Sequence, residues 1–563
     1  MVNRPVASSL SGLRTLFVGI AVVSLTFGFV GIHQHLQNIQ QKHVRSIDVL
    51  YYALQLFTLG APHLDEGGPL PLLLEIARFT APAVTVYAFF EAGRLLFAVE
   101  LNRLRARRAR GHAVVCGDSP LATALIRHLV AAGHKVVNIT SLASAEAERA
   151  VLRVIGDARD PEVLSDAGIA RAEVLYACTG DSAANTAIAL TASLRLAKSQ
   201  LTAAYAHIAD PELCLALQAR HLGADPNLTL RVDFFQADEL AARGLCEAHP
   251  IPPLNGRPPC LLILGATHFG CSVIVESARQ WRVQEAPLTA RLKVIVIDPI
   301  APLAITRLLG RYSFLETVCE IVTYPELTAF IPGPAETPDR VFICYEDDER
   351  ALKTALTTDR FWTGGRGSVV VRQNQLVSLE TAFGAPLDRR LFDDVSSTIS
   401  LFGVVDAAAD PRQIHNDLAL RLARILHEGY LVSMRRQYAT SPSMVPWNEL
   451  SERLRQENRA QAADIGHKLS LIGCALAPRI GQGAEHNLTA EEIEKLAIHE
   501  HARWCDEKVR EGWRHGPRDD AKKLHPRLVP WDDLGEPTRT RNRNAVAMLP
   551  ESLANCGFRI VNK

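Results

Sequence analysis

Two stretches of this chain combine a short apolar run with a glycine turn that could bind a phosphate. The first has the spacing Gly117-x-Ser119-x-x-Ala, and the second has Gly265-x-Thr267-x-x-Gly270. In such a turn the first glycine allows a sharp reversal, and the free N–H groups of the following helix point at an anion. Each stretch therefore predicts an α/β lobe of the nucleotide-binding type.

Further polar residues follow the later strands of the first lobe. Asp157, Thr179 and Asp181 each come after an apolar run, and Asn185 opens the next helix. Because the carboxyl ends of parallel strands share one edge of a sheet, these residues are expected to line one crevice. The ordered set resembles the RCK/TrkA-N domains that regulate potassium channels and transporters, across roughly residues 111–245. The resemblance implies a regulatory nucleotide-type ligand, either NAD(H) or an adenine nucleotide.

The two lobes differ in the residue expected to hold a ribose. Asp298 follows the second apolar run of the second lobe, whereas the first lobe offers Asn138. A carboxylate accepts from ribose hydroxyls better than an amide does, so the second lobe is expected to be the better nucleotide site. The alternative for both lobes is that the glycines make tight turns without any ligand. An oxidoreductase is a further alternative, but no catalytic residue set accompanies the turns, and the sequence predicts no enzyme.

A repeated motif fills the C-terminal part of the chain. Val-Pro-Trp-x-x-Leu begins at Val445 and again at Val529, an offset of 84 residues, and matches further upstream share an offset of 74. Internal repeats of this kind indicate duplicated structural units. The sequence therefore predicts two copies of one helical module, residues 409–480 and 488–563, with a longer loop in the second copy.

The second copy gathers side chains that could bind a nucleotide-derived ligand. Indole rings can stack on a base, guanidinium and ammonium groups can bind phosphate, and carboxylates can hold ribose hydroxyls. The candidates are Trp504, Trp513, Arg514, Asp519, Asp520, Lys522, His525, Trp531 and Arg543. Their motifs, among them His-x-x-Trp, Gly-Trp, Gly-Pro and Asp-Asp-x-Lys, closely resemble the repeat domain of ryanodine receptors (RyR). The alternative is a small helical core in which the tryptophans pack and the charges form surface ion pairs.

Composition narrows the classes of function. The 563-residue chain has a formal net charge of +0, and basic residues of the helical module alternate with acidic ones, so no nucleic-acid partner is expected. Its 11 cysteines are scattered without Cys-x-x-Cys, which is typical of a reduced cytosolic compartment. His499-Glu500-His501 lacks the spacing of a zinc-binding helix, and no metal site is predicted.

Two apolar runs upstream of the lobes predict membrane helices. Thr15–Ile32 is uncharged, and a second run covers roughly Leu72–Val99. The first run is longer than the apolar part of a secretory signal and no cleavage motif follows it, so a retained helix is favoured. The basic stalk Arg103–Arg110 is expected to stay cytoplasmic, which places both termini there and the chain in the cell membrane.

A short apolar helix pattern and a Thr-x-Gly sequence lie between the two runs. The residues at the end of this pattern are Thr58, Leu59, Gly60 and Ala61. They resemble the pore loop of two-span potassium channels, although Thr-Leu-Gly-Ala departs from the usual Thr-Val-Gly-Tyr-Gly. The resemblance implies a lipid-embedded, ligand-gated channel for a monovalent cation such as potassium, assembled from four copies. The alternatives are an amphipathic loop at the membrane surface and a non-conducting tethered sensor that acts through a partner or by clustering.

Together these features predict a multidomain chain with four parts. The expected fold class is two transmembrane helices, then two α/β Rossmann-like lobes, then an all-α tandem module. The stalk is expected to carry ligand-dependent changes from the lobes to the second span. The parts are a two-span segment with its stalk, two RCK/TrkA-N lobes and the RyR-like repeats, at residues 1–110, 111–255, 256–408 and 409–563.

Overall fold

The chain is described here by a computed structural model whose residues fall into two compact units. The units are Met1–Leu104 and Arg105–Lys563. The described residues are 7–38, 45–60, 69–141, 151–195, 201–222, 230–253, 257–283, 290–330, 337–358, 368–374, 398–436, 444–480 and 483–563.

Three helices make up the first unit. Helix α1 covers Ala7–Asn38, and helix α3 covers Leu72–Arg108, of which the last turn belongs to the second unit. Between them α2 covers Ser46–Gln55 and continues as a 3-10 turn over Leu56–Thr58. Apolar side chains of all three helices form one buried cluster, so the short helix packs against both long ones.

The two long helices each contain a segment that is apolar and long enough to cross a membrane. These segments are Thr15–Gln37 and Leu72–Gly93. The helices lie antiparallel, with Ser24 Oγ donating to Thr80 Oγ1 at 2.7 Å. A Cβ atom at Gly31 would lie 2.7 Å from the backbone of α3. The absence of a side chain there lets the two backbones approach closely.

The last turn of α3 packs on the first lobe. Arg107 donates from Nε to Asp166 Oδ1 at 2.6 Å, and the Asp166 side chain is buried. Gly168 has a φ of +70°, and a Cβ atom there would lie 2.5 Å from Ala106 O. One helix therefore contains the second candidate span and ends in a buried ion pair with the first lobe.

The first lobe contains a six-stranded parallel sheet in the order β3-β2-β1-β4-β5-β6. Its strands are β1 Ala113–Cys116, β2 Val136–Thr140, β3 Val151–Ile155, β4 Val174–Ala177, β5 Ala203–His207 and β6 Arg231–Phe235. Its helices are α4 Pro120–Ala131, α5 Pro161–Asp166, α6 Ser182–Arg195, α7 Pro211–Leu222 and α8 Ala237–Ala248. The strand order reverses between β1 and β4, and such sheets bind ligands at this point of their carboxyl edge.

The second lobe repeats this arrangement, with the order β9-β8-β7-β10-β11-β12. Its strands are β7 Cys260–Leu264, β8 Leu292–Ile297, β9 Cys319–Tyr324, β10 Arg340–Ile343, β11 Val369–Gln373 and β12 Ile399–Gly403. Its helices are α9 His268–Val283, α10 Ala301–Arg311, α11 Phe314–Val318 and α12 Asp348–Thr357, with α13 Val404–Ala408 and α14 Pro411–Ile414 leading to the module. The reversal lies between β7 and β10.

The C-terminal module consists of two similar sets of elements. The first set is α15 Leu418–Arg436, α16 Glu452–Ala463, α17 Ile465–Leu471 and β13 Cys474–Pro478. The second set is α18 Ala490–Arg510, α19 Glu536–Ala547, α20 Leu549–Asn555 and β16 Phe558–Asn562, with two short parallel strands, β14 Arg514–His515 and β15 Leu524–His525, after α18. Strands β13 and β16 pair antiparallel, with Leu476 opposite Ile560.

Equivalent side-chain contacts recur in the two copies. The Nε2 atom of His427 lies 2.9 Å from Val445 O, and the Nε2 atom of His501 lies 2.8 Å from Val529 O. In each copy the histidine ring centroid lies 5.9 Å from that of the tryptophan two residues after this valine. The contacts follow the two sequence offsets and show that the repeat is structural.

The predicted fold class is confirmed by these elements. Two apolar N-terminal helices precede two parallel Rossmann-like sheets, and a helical region follows them. All 11 cysteines are free, and most are buried in apolar surroundings.

Candidate nucleotide-binding sites

The glycine turn of the first lobe lies where the strand order reverses. Gly117 has a φ of +114°, and a Cβ atom there would lie 2.8 Å from Cys178 O. Ser119 caps α4, because its Oγ accepts from Ala122 N at 3.1 Å and donates to Cys178 O at 2.5 Å. The turn therefore needs glycine, and the serine joins the ends of β1 and β4.

The second lobe makes the same turn with different residues. Gly265 has a φ of +104°. Thr267 Oγ1 donates to Cys344 O at 2.8 Å and accepts from Gly270 N at 3.1 Å. A Cβ atom at Gly270 would lie 2.2 Å from Gly265 O, so no larger residue fits there without a backbone shift. Both predicted turns are present, and each is satisfied by hydrogen bonds within its own lobe.

Thr179 and Asn185 form hydrogen bonds with each other instead of facing the expected crevice. Asn185 Oδ1 accepts from Thr179 N at 2.8 Å and from Thr179 Oγ1 at 2.7 Å. Its Nδ2 donates to His207 O at 2.8 Å, and its side chain is fully buried. Asp181 Oδ1 accepts from Ala183 N at 2.9 Å at the start of α6. Contrary to the prediction, Asn185 ties β4 to β5 and has no surface for a ligand.

Asp157 is exposed at the carboxyl edge and carries a partner that sequence reasoning missed. Its carboxylate accepts from Arg159 Nη2 at 2.6 Å and from Arg159 N at 2.9 Å. The hydrogen bonds from Arg159 lower the pKa of Asp157 below its ordinary value. The position of Arg159 two residues after the predicted acid was the available signal. A guanidinium at this edge can bind phosphate if the carboxylate releases it.

Asn138 does not occupy the position of Asp298. Gly117 N donates to Ile139 O as Gly265 N donates to Ile297 O, so Thr140 is the counterpart of Asp298. Asn138 is buried within β2, and the comparison that paired it with Asp298 is corrected. Strand β2 ends at Thr140, as expected, so the register of the two strands and not their length identifies the counterpart.

Asp298 and Tyr345 close the turn of the second lobe. Asp298 accepts from Ala266 N at 3.2 Å and from Ile300 N at 3.0 Å. A Cβ atom at Gly265 would lie 3.0 Å from Tyr345 Cδ1, so the ring packs directly on the turn. The guanidinium of Arg350 stacks 3.8 Å from the centre of that ring, and burial raises the pKa of Tyr345. This packing weighs against the second lobe as the better nucleotide site.

The tryptophans of the second module copy form one aromatic chain with two histidines. The Trp504 ring centroid lies 4.9 Å from that of His525 and 6.0 Å from that of His501. Trp513 lies 6.2 Å from His525, and Trp531 lies 5.9 Å from His501. The structure thus brings together four of the predicted ligand residues. Trp513 and His525 are buried, whereas Trp504 and Trp531 are partly exposed.

Basic side chains surround this aromatic chain. The cationic groups of Arg453, Lys508 and Arg518 lie 5.7, 5.6 and 5.8 Å from the centre of Trp513. Burial, together with the nearby Arg518 and Arg527 guanidiniums, lowers the pKa of His525 to about 4. Burial and the charge of Arg541 also lower the pKa of Arg527. The three cations around Trp513 are themselves paired with carboxylates, Arg453 and Lys508 with Glu457 and Arg518 with Asp520.

Most other predicted ligand residues of the module are held in local ion pairs. Asp520 pairs with Arg518 at 2.5 Å, and Asp519 pairs with Lys522 at 3.5 Å. Arg543 pairs with Glu494 and, at 2.6 Å, with Glu536; Glu494 also accepts from Trp531 Nε1 at 3.2 Å. Arg514 is exposed on β14. Sequence reasoning missed Arg527 and Arg541, of which only Arg541 belongs to the run of alternating arginines after residue 538.

The predicted pore segment ends α2 in a left-handed turn. Leu59 has a φ of +61° and is 81% exposed. Thr58 Oγ1 donates to Gln55 O at 3.0 Å, and Gly60 N donates to the same oxygen at 3.0 Å. Ala61 lies outside the described residues. These hydrogen bonds therefore cap the C-terminal end of the helix with atoms of the same chain.

Comparisons with known proteins agree with two of the domains. A TrkA-N domain matches residues 113–227, and a RyR domain matches residues 486–562. The structure titled "GsuK channel bound to NAD" is 12% identical and has a TM-score of 0.35 over 87% of this chain and 89% of that chain. GsuK bound to ADP is 16% identical, with a TM-score of 0.35 over 73% and 97%. A dipicolinate synthase chain from Bacillus halodurans is 11% identical, with a TM-score of 0.20 over 54% and 96%.

Proposed function

We propose that this chain is one protomer of a ligand-gated cation channel in the cell membrane, and that its cytosolic unit senses a nucleotide-type ligand. The TrkA-N domain and the turn at Gly117 support the sensing role. The two apolar helices support the membrane location, with both termini in the cytoplasm. Four copies would surround the path of a monovalent cation, because one Thr58–Gly60 segment supplies only part of a filter.

The observation that best supports the proposal is the length of helix α3. The helix contains the second candidate span, and in its last turn Arg107 pairs with the buried Asp166 at the end of α5. Asp157 and Arg159 stand just before α5 at the carboxyl edge of the sheet. A ligand that binds this edge would therefore act on α5 and, through Asp166, on the stalk. A coupling of about 1–3 kcal/mol would change opening by roughly 5–150-fold.

The ligand is assigned to the first lobe, where the crevice at the strand reversal is not covered by a tyrosine. Its phosphates would meet the N-terminus of α4, beside Gly117 and Ser119. Arg159 would supply a guanidinium, and Asp157 would accept from a ribose hydroxyl. NAD(H) and adenine nucleotides carry all of these groups.

The helical module offers a second place for the same class of ligand. The partly exposed Trp504 ring can stack on a base, and Arg518, Arg527 and Arg541 lie close enough to one another to attract phosphate. Mass spectrometry of small molecules that co-purify with the chain tests this assignment. Substitution of Trp504 by alanine is expected to deplete the molecule bound to the module and to leave the one bound to the first lobe.

Planar-bilayer recording of the purified full chain tests conduction. Unitary, ion-selective steps whose frequency changes with added NAD(H) or adenine nucleotide are expected. The absence of steps, with nucleotide binding retained, would support a non-conducting membrane-tethered sensor instead.

Substitution of Asp166 by asparagine tests the coupling step. Asparagine keeps the shape of the buried side chain but removes the charge that holds Arg107. Ligand binding should persist while the nucleotide dependence of opening is lost. Substitution of Glu162 by glutamine is the matched control, because it removes one charge from the exposed face of the same helix. Equal effects of the two variants would contradict the coupling route.

A further inference from the structure

We propose that Cys474, His486 and Glu492 form a Zn²⁺ site that joins the two copies of the helical module. One donor atom from each of the three side chains lies within 4.8 Å of the other two. Within the described ranges, no other set of three His, Cys, Asp or Glu side chains brings its donors so close. The three residues come from different elements, so the fold rather than the sequence assembles them.

The sulfur donor comes from the first copy and faces the second. Cys474 begins β13 and is 1% exposed. It lies opposite Asn562 in the antiparallel pair, and its Sγ is 3.4 Å from Asn562 Oδ1. An amide oxygen is therefore available at the same place as a fourth donor or as a hydrogen-bond partner of a bound water.

The nitrogen and oxygen donors are already held in place. His486 N donates to Ile560 O at 2.9 Å, which fixes the loop beside β16. Its Nε2 lies 3.0 and 2.9 Å from the two carboxylate oxygens of Glu492. Glu492 also accepts from Thr489 N at 2.8 Å in the capping box of α18. Binding would therefore cost little ordering of these side chains.

The corresponding end of the two-stranded sheet shows that the fold does not require this set. The repeat offset carries Cys474 onto Phe558, which is fully buried, and relates Asn562 to Pro478. The offset of the helices relates Glu492 to Leu418, which is also buried. Two donors of the site, Cys474 and Glu492, and the neighbouring Asn562 thus correspond to apolar residues in the other copy. A packing requirement common to the two copies would not produce this difference.

The donor set selects the ion. Zn²⁺ binds thiolate, imidazole and carboxylate in tetrahedral geometry, with bonds of about 2.0–2.3 Å. Ca²⁺ and Mg²⁺ prefer oxygen donors alone. Ligand atoms around tetrahedral zinc are roughly 3.3–3.8 Å apart, so shifts of about 1 Å or less would close the site.

Binding exchanges protons for the ion. The S–H bond of Cys474 breaks, a Zn–S bond forms, and the proton leaves to solvent. Any proton held between His486 Nε2 and Glu492 leaves in the same way, and the metal takes its place. Three protein donors leave a fourth position for Asn562 or water, so the ion is expected to exchange rather than to be locked in.

Metal uptake by the full chain tests the proposal. Detergent-purified, tag-free protein is stripped with a chelator and then titrated with Zn²⁺, and bound zinc is counted by elemental analysis. One zinc per chain and a concentration-dependent rise in Tm are expected. Cobalt(II) used in place of zinc should give the thiolate-to-metal absorption band of a Cys-ligated site. Uptake of no metal at micromolar concentration would overturn the proposal.

Three variants distinguish this site from adventitious binding. Cys474→Ser should abolish the cobalt band, and His486→Gln, which keeps a hydrogen bond to Glu492, should lower zinc affinity at least tenfold. The control is Cys505→Ser, because Cys505 Sγ lies 3.4 Å from His501 Nε2 and forms a second Cys–His pair without the carboxylate. Unchanged uptake in Cys474→Ser, or equal loss in Cys505→Ser, would overturn the assignment. The unfolding curve of Cys474→Ser in the presence of chelator should match that of the metal-free parent chain. This match would exclude misfolding as the cause of lost metal binding.

Discussion

The two lobes have the same kind of glycine turn at the point where the strand order reverses, but a different residue lies beside it in each lobe. In both, a glycine of positive φ is followed by a hydroxyl side chain that caps a helix and binds the neighbouring strand. In the first lobe the adjacent position holds Thr179, which is tied back by Asn185. In the second it holds Tyr345, which packs on Gly265 beneath Arg350.

This difference separates the folding role of the glycine turn from its binding role. Both turns close the same sheet junction, so both glycines are required whether or not a ligand binds. The sequence signature of the turn therefore does not by itself distinguish a nucleotide-binding lobe from one in which the turn serves only the fold.

The largest stability difference is expected at the third position of the turn. Gly270→Ala should destabilise the second lobe by about 3 kcal/mol, because the new Cβ would lie 2.2 Å from Gly265 O. The first lobe has Ala122 at this place, and Ala122→Gly should cost about 1 kcal/mol. Hydrogen exchange of peptides from each lobe, measured on the full chain, compares the two. Equal losses of protection would contradict the close packing of the second turn.

The next effect is expected at the residue that ties β4 to β5. Asn185→Ala should cost about 2 kcal/mol, because it removes a fully buried side chain that hydrogen-bonds the Thr179 N–H and the His207 carbonyl. Its counterpart in the second lobe is the buried Ala351, where Ala351→Ser should cost less than about 1 kcal/mol. Thermal unfolding followed by exchange in each lobe checks both values. An Asn185→Ala variant as stable as the parent chain would contradict this structural role.

Acid should loosen the first lobe more than the second. Burial lowers the pKa of His207 from 6.5 to about 4, so the unfolded chain binds a proton first as the pH falls below 6.5. The stability associated with neutral His207 is fully present above pH 6.5 and is lost progressively between about pH 6.5 and 4. The loss amounts to about 1.4 kcal/mol at pH 5.5. Gln373 ends the equivalent strand and does not titrate. His207→Gln should reduce the pH dependence of exchange in the first lobe, to which His112 and His221 also contribute because burial lowers their pKa values. An unchanged pH dependence would contradict the role of His207.

The smallest effect should be equal in the two lobes. Ser119→Ala and Thr267→Val each remove a helix cap that also binds the neighbouring strand, at a cost of about 1 kcal/mol. Exchange at the first turns of α4 and α9 provides the measurement. A loss confined to one lobe would show that the two caps are not equivalent.

The sequence predicts most of the fold because local chemistry determines it. Positive φ at Gly117 and Gly265 follows from the spacing of the turn, and the matched contacts of His427 and His501 follow from the repeat. These features depend on residues close together in the chain or on a repeated pattern. Both are visible without a structure.

The sites were less predictable because long-range packing determines them. Asn185 has the right position for a ligand, but its burial depends on His207 from the next strand. The sequence does not show which residue of β2 corresponds to Asp298, and only the backbone hydrogen bonds of the two glycine turns identify it as Thr140 rather than Asn138. Cys474, His486 and Glu492 are separated by intervals that match no metal motif, and only the antiparallel pairing of the two copies brings them together.

The pairing of β13 with β16 also limits how the module can grow. Residues on either side of Leu476 and Ile560 are exchanged by an approximate two-fold axis, so each copy uses the same edge that its partner uses. A third copy would find that edge already taken, unlike a further unit added to the open end of a solenoid. Any additional copies in a longer relative are therefore expected to come as further pairs.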